Sequence, residues 1–231
     1  MIVAPVAGQM VMNPILACQD KQLRILSDLG GGKTEVIYSH KFEAACVSIS
    51  MCQELSSRSS PIIGYGLANG EIGVLELMRS KSVVMWNLES TQIADGLGAP
   101  VSLVKTCNLN KSKVPGGASP KKRPKGSKTD ELLAGLDEDE EEEITNDLIV
   151  ARDNGRIEIY NYVNDNPFPT LCFETQIKST ITGFDVGYVT MANSKDILLT
   201  CYDGKIYALV DSKKFKKQGI MANENIKPAD D

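Results

Sequence analysis

Four stretches of the chain repeat one arrangement of apolar and polar positions. They run from Pro14 to Leu26, from Pro61 to Leu77, from Asp147 to Tyr162 and from Asp196 to Val210. Each opens with a short apolar run, passes through a tight polar pair and continues with alternating apolar and polar residues. The pairs are Asp20-Lys21, Asn69-Gly70, Asn154-Gly155 and Asp203-Gly204. Asn-Gly or Asp-Gly between β-rich runs marks a hairpin, and a type I′ turn with φ > 0 at both central residues is expected there. The stretch Arg156–Tyr162 shows the period of two that a half-buried strand requires.

The spacing of the pairs carries the architecture. Lys21 and Gly70 lie 49 positions apart, as do Gly155 and Gly204, whereas Gly70 and Gly155 are 85 apart. The excess of 36 is the length of Lys111–Asn146, a segment unlike the rest of the chain. With that segment lifted out the period is constant, and roughly 40–50 residues with four strands is the size of one propeller blade. First strands are predicted at Ile2–Ala7, Cys46–Met51, Val101–Leu109 and Ile181–Val186. Outer strands are predicted at Glu35–Phe42, Ser82–Leu88 and Thr170–Thr175, with a poorly marked fourth at Lys213–Gln218. The fold class is therefore all-β: a partial β-propeller of about four four-stranded blades.

The segment 111–146 interrupts it. Lys111–Lys128 contains seven Lys or Arg, and Asp130–Glu143 holds nine acids. Charge blocks with Pro and Gly bury too little apolar surface to offset chain ordering, so a disordered surface insert is predicted. The expected organisation is blades over 1–110, the basic-then-acidic insert over 111–146, blades over 147–215 and a polar tail over 216–231.

Charge and composition narrow the chemistry. The chain has 231 residues and a net charge of −5, which argues against a general nucleic-acid or anionic-membrane binder. Six cysteines without a C-x-x-C pair, and one histidine, make a Cys/His zinc site a poor reading; buried reduced thiols are expected. Gly30-Gly31-Gly32-Lys33-Thr34 invites comparison with a phosphate loop. Position 27 is Ser where the motif needs Gly, and a strand follows where it needs a helix, so a connection between blade strands is the better reading. Asp153-Asn154-Gly155 lacks the alternate ligands and closing carboxylate of a calcium loop. His40 has no catalytic partner that sequence can nominate, and Trp86 and Tyr160 read as packed strand aromatics. The basic run Lys121–Lys125 resembles a polyanion patch, but pairing with the acidic half or plain solubility explains it better. No catalytic residue, cofactor or metal ligand is assigned; the singled-out positions are the turns Asp20, Lys21, Asn69, Gly70, Asn154, Gly155, Asp203 and Gly204.

The segments also carry a resemblance. Asn13–Leu26, with its Ala17-Cys18-Gln19-Asp20 core, Ile62–Gly66 with Asn69-Gly70, Val84-Met85-Trp86, Asp147–Gly155, and Ile197–Thr200 with Tyr202 resemble the propeller of the Bardet–Biedl syndrome protein seven family, subunits of the BBSome. The resemblance implies a non-catalytic scaffold of a coat-like complex that serves ciliary membrane-protein trafficking and cilium assembly. Its partners would be other BBSome subunits and, through the complex, ciliary membrane-protein cargo. It implies no nucleic acid and only indirect membrane association, with localisation at cytoplasm, cilium, basal body and ciliary membrane. Family members are longer, so a fragment that is poorly soluble or oligomeric alone is expected. The residues by themselves fit a generic intracellular propeller adaptor equally, whereas an enzyme would need convergent polar groups in the central channel.

Overall fold

A computed structural model of the chain describes residues 1–6, 12–51, 61–78, 81–89, 98–109, 146–162, 168–191 and 194–210. The described residues form strands only. In chain order these are β1 (Ile2–Pro5), β2 (Met12–Ala17), β3 (Gln22–Gly30), β4 (Lys33–Lys41), β5 (Cys46–Met51), β6 (Ile62–Leu67), β7 (Ile72–Leu77) and β8 (Ser82–Leu88). They continue with β9 (Val101–Cys107), β10 (Asn146–Arg152), β11 (Arg156–Tyr162), β12 (Thr170–Gln176), β13 (Ile181–Met191), β14 (Ser194–Cys201) and β15 (Ile206–Leu209).

Each sheet is an antiparallel meander of consecutive strands: β1 to β4, β5 to β8, β9 to β12, and β13 to β15. These are blades 1 to 4 of a propeller stretch. Leu and Ile dominate the middle strands, and such apolar residues fit a pleated surface packed on both faces. Accordingly β6 and β10 are buried along their whole length. Both lie in the inner blades, covered from two sides, and so they read as continuous apolar runs rather than alternating ones.

The repeat columns of the sequence become the junctions between blades. Ile15, Leu23 and Ile25 of blade 1 meet Ile63, Tyr65, Leu67 and Leu75 of blade 2 in one cluster. Ile72, Val74 and Trp86 of blade 2 meet Leu148, Val150, Tyr160 and Tyr162 of blade 3 in a second. Ile149, Ala151 and Ile157 of blade 3 meet Ile197, Leu199 and Cys201 of blade 4 in a third. Gly64 and Gly66 let blade 3 come close: a Cβ on Gly64 would stand 2.5 Å from the Thr106 methyl, and one on Gly66 2.4 Å from Val101.

Element boundaries differ from the expectation in a few places. β1 ends at Pro5 and β9 at Cys107, while β10 begins at Asn146, the last residue assigned to the insert. β13 runs on to Met191 because Asp196 of β14 accepts hydrogen bonds from the Val189 amide at 3.2 Å and the Thr190 amide at 2.7 Å. The rest of the insert, the expected strand Lys213–Gln218 and the tail 216–231 lie outside the described residues. Among the described residues no helix is long and apolar enough to cross a membrane.

Candidate functional site

The turns between second and third strands stand at one rim of the blade array, and they are not type I′. Positive φ occurs only at the second member of each pair: Lys21 (67°), Gly70 (90°), Gly155 (83°) and Gly204 (78°). The Gly70 amide donates to the Leu67 carbonyl at 3.0 Å, while the Leu67 amide donates to the Glu71 carbonyl at 2.8 Å. The Cys201 turn repeats this pattern with Gly204 and Lys205, both at 3.0 Å. This is a type I turn closed by a bulge residue in the left-handed region, a three-residue loop rather than a two-residue one.

The first member of each pair has a different task. Asn69 Oδ1 accepts from the Glu71 amide at 3.1 Å, Asn154 Oδ1 from the Arg156 amide at 3.0 Å, and Asp203 Oδ1 from the Lys205 amide at 3.1 Å. Short side-chain acceptors that reach two residues ahead are why Asn and Asp recur there. Asp20 instead pairs with the Arg24 guanidinium.

Beneath two of these turns lies a buried charge cluster. Arg152 is fully buried at the end of β10, and its Nε and Nη2 donate to the two Glu158 carboxylate oxygens at 3.0 and 2.9 Å. Its Nη1 donates across the junction to the carbonyls of Gly70 at 3.0 Å and Ala99 at 2.8 Å. The Tyr160 hydroxyl donates to Glu158 at 3.1 Å, and Arg156 stands 2.9 Å from it. Burial, and then the Glu158 charge, push the Tyr160 phenol up to about 12. Arg152 thereby ties blade 3 to the turn of blade 2.

At the blade 1–2 junction the polar contacts lie toward the outside. The Tyr38 hydroxyl and His40 Nδ1 both meet the Ser82 hydroxyl, at 2.8 and 2.6 Å, joining the outer strands β4 and β8. His40 stacks edge-on to Phe42 at 4.6 Å, and burial lowers its pKa from the usual imidazole range. Sequence gave no hint of Ser82 as its partner, because 42 residues separate them. The bond uses Nδ1, and the contact works as a bridge between strands.

The four inner strands β1, β5, β9 and β13 line a groove with a cavity of about 740 Å³, walled by Val3, Ser48, Ser50, Lys105, Thr106 and Phe184 among others. Ser48 and Ser50 of β5 accept from the Val104 and Thr106 amides of β9, both at 3.0 Å. Lys105 pairs with Asp185 of β13, and that bond holds the Asp185 carboxyl below its usual range. Serine hydroxyls thus satisfy backbone donors where neighbouring blades do not share a sheet.

The remaining singled-out residues take structural places. Gly30, Gly31 and Gly32 all have positive φ in the β3–β4 connection, with the strand Lys33–Lys41 following. Trp86 and Tyr160 are buried with ring centroids 6.5 Å apart, and Tyr162 lies 5.5 Å from Trp86. The cysteines correct the expectation of uniformly buried thiols: Cys46, Cys107 and Cys201 are buried, Cys18 is intermediate and Cys172 is exposed. β12 is the outer strand of its blade, so its side chains have little to cover them. Burial pushes the Cys46 thiol up to about 12, which keeps it protonated. Among the described residues no cluster of His, Cys, Asp and Glu has the makings of a metal site. Position 52 and the basic run 121–125 lie outside the described residues.

Sequence reading passed over Arg152 and Glu158. The signal was present in the repeat column: positions equivalent to 152 hold Cys18, Leu67 and Cys201, so a charge there breaks the pattern.

No family model matches the chain. It is 22% identical over 218 residues to BBSome complex member BBS7 of Mus musculus, covering 94% of this chain. It is 20% identical over 222 residues to BBSome complex member bbs-7 of Caenorhabditis elegans, covering 95%. The chain spans a quarter of the length of either relative. Among solved structures it is similar to BBS1N in complex with ARL6DN. The mercury-soaked crystal gives a TM-score of 0.52 at 14% identity, covering 90% of this chain and 46% of that one. The lead-soaked crystal gives 0.53 at 15%, covering 90% and 52%. The structural likeness shows the propeller fold, and the sequence likeness is BBS7-like over nearly the whole chain.

Proposed function

We propose that this protein is a non-catalytic scaffold subunit of a BBSome-type coat complex, in ciliary membrane-protein trafficking and cilium assembly. The observation that carries the proposal is the likeness to BBS7 from two distant animals over more than nine-tenths of the chain. The geometry supports it. Among the described residues, Asn69, Asn154 and Asp203 serve turns, Ser82 bridges two blades and the Arg152–Glu158 pair is buried, as in a body built to hold its shape. The solved BBS1N structures hold a protein of similar fold in complex with another protein, ARL6DN. A blade array can therefore present a protein-binding surface.

On this reading the partners are other BBSome subunits directly and ciliary membrane-protein cargo through the complex. Membrane association is peripheral and indirect, nucleic acid is not a partner, and the protein works in the cytoplasm, cilium, basal body and ciliary membrane without a cofactor. The test is purification of the tagged native protein from ciliated cells under mild conditions. Recovery of the other BBSome subunits in constant proportion is the expected result. Their consistent absence, with some other assembly recovered instead, would replace this reading with that of a generic propeller adaptor.

A further inference from the structure

The contact that joins the outer edges of blades 1 and 2 turns on one hydroxyl. Ser82 opens β8, and its Oγ stands 2.6 Å from His40 Nδ1 and 2.8 Å from the Tyr38 hydroxyl, both on β4. β8 is the outermost strand of its sheet, and Ser82 lies opposite Leu77 on the last rung of the β7–β8 ladder. The Met78 amide closes the hairpin just beyond it, on the Lys81 carbonyl at 2.8 Å. Ser82 is half-buried, while Lys81 before it and Val83 after it are exposed.

The sequence around this hydroxyl is Arg79-Ser80-Lys81-Ser82-Val83, and no acid stands within five positions of Ser82. Two cations ahead of a serine and an apolar residue behind it complement the acidic substrate groove of a basic-directed protein kinase. A bridge between strands requires a hydroxyl and places no demand on the charge beside it. Ser48 and Ser50 make the comparison within the molecule: they also join blades through Oγ, yet Ala44–Cys52 holds no charged residue. The last rung of an edge strand is also where a ladder opens at least cost, which presents Ser82 to an enzyme without disturbing the core.

We infer that Ser82 is a phosphoacceptor site for a basic-directed protein kinase, and that Tyr38 and His40 hold its phosphate across the blade 1–2 junction. In the transfer Ser82 Oγ attacks the γ-phosphorus of the kinase's nucleoside triphosphate. The new O–P bond forms as the bond from that phosphorus to the β–γ bridging oxygen breaks. The nucleoside diphosphate leaves, and the hydroxyl proton passes to the kinase's carboxylate base. The phosphoserine has lost its O–H donor and carries a charge of about −1.5 to −2. The Tyr38 hydroxyl and an N–H at His40 Nδ1 then donate to its oxygens, so a neutral bridge becomes a charge-assisted one. The inference rests on this contact and its flanking sequence, independently of the proposed function.

The experiment treats the purified 231-residue chain, its β signature checked by circular dichroism, with magnesium ATP and the catalytic subunit of cyclic-AMP-dependent protein kinase. Tandem mass spectrometry then maps the phosphate. The expected result is phosphate on Ser82 of the folded chain, with an initial rate about tenfold lower in Arg79→Ala. Phosphate only on other residues, phosphate on Ser82 only after the chain is unfolded in urea, or none at all would overturn the inference. The holding of the phosphate is read by its removal with alkaline phosphatase. Release about tenfold faster from the folded Tyr38→Phe/His40→Leu variant than from the unaltered chain is expected. Equal release rates would overturn the role given to Tyr38 and His40.

Discussion

The junction between blades 1 and 2 and that between blades 2 and 3 join the same repeat columns by different physics. In the first, aliphatic side chains fill the interior, Phe42 stacks on Tyr65 at 4.8 Å, and the interblade hydrogen bonds sit on the outer strands around Ser82. In the second, a fully buried Arg152–Glu158 pair takes a column that is Leu67 and Gly73 one blade earlier. An apolar interface tolerates sliding and resizing, because dispersion and burial are non-directional. The bidentate pair, with Nη1 fixed on two carbonyls, accepts one arrangement only. The difference teaches that the repeat supplies adhesion, while single departures from it set which blade sits against which turn.

The largest effect should come from removing one partner of that pair. Arg152→Ala leaves the Glu158 charge buried with less compensation, and a loss of about 3–5 kcal/mol in urea unfolding is expected. Arg152→Met with Glu158→Leu should recover most of the loss, since replacing both charges by apolar groups of similar volume is nearly neutral. A double variant no better than the single one would show that the carbonyl clamps, rather than the pair, hold the junction.

Groups at both junctions should also show in the pH dependence of stability. Tyr160 titrates at about 12 in the fold against 10 when exposed, so its contribution is complete below pH 10 and is lost as pH rises toward 12. Tyr160→Phe should flatten the fall of the melting temperature across that window. His40 is lowered by burial, so its contribution is complete above the usual imidazole pKa of 6.5 and is lost as pH falls below it. His40→Gln should flatten the acid side while leaving the alkaline side unchanged. The Cys46 thiol in the blade 1–2 core, also raised to about 12, adds to the alkaline fall, so Tyr160→Phe should flatten it only in part. An alkaline limb that Tyr160→Phe leaves unchanged would defeat the assignment to Tyr160.

The smallest effect belongs to the turns. Lys21 holds φ at 67° where blades 2, 3 and 4 use glycine. Lys21→Gly should stabilise the protein by about 0.5–1 kcal/mol, because the left-handed region is strained for a side chain that has a Cβ. A denaturation midpoint unchanged or lowered would mean that the unfolded chain's gain in freedom outweighs the relief.

Much of this was legible in the chain itself. The four hairpins and the strands Cys46–Met51 and Ser82–Leu88 follow from period-two alternation and a spacing that is constant once 111–146 is lifted out. Both are local and additive properties, and a linear string preserves them. Asn69 and Gly70 announced a turn, yet the turn class depended on how many residues close the ladder, which the neighbouring strands decide through their register. Arg152 showed in the sequence only as an irregular member of a column. That it lies fully buried and reaches the Gly70 carbonyl 82 residues away is a matter of which blade packs against which. His40 and Ser82 met for the same reason. Sequence by itself determined the unit and its repetition, because hydrophobic period and turn chemistry act over a few residues. Only the tertiary structure decided the pairings between units, because those rest on distances that no local pattern encodes.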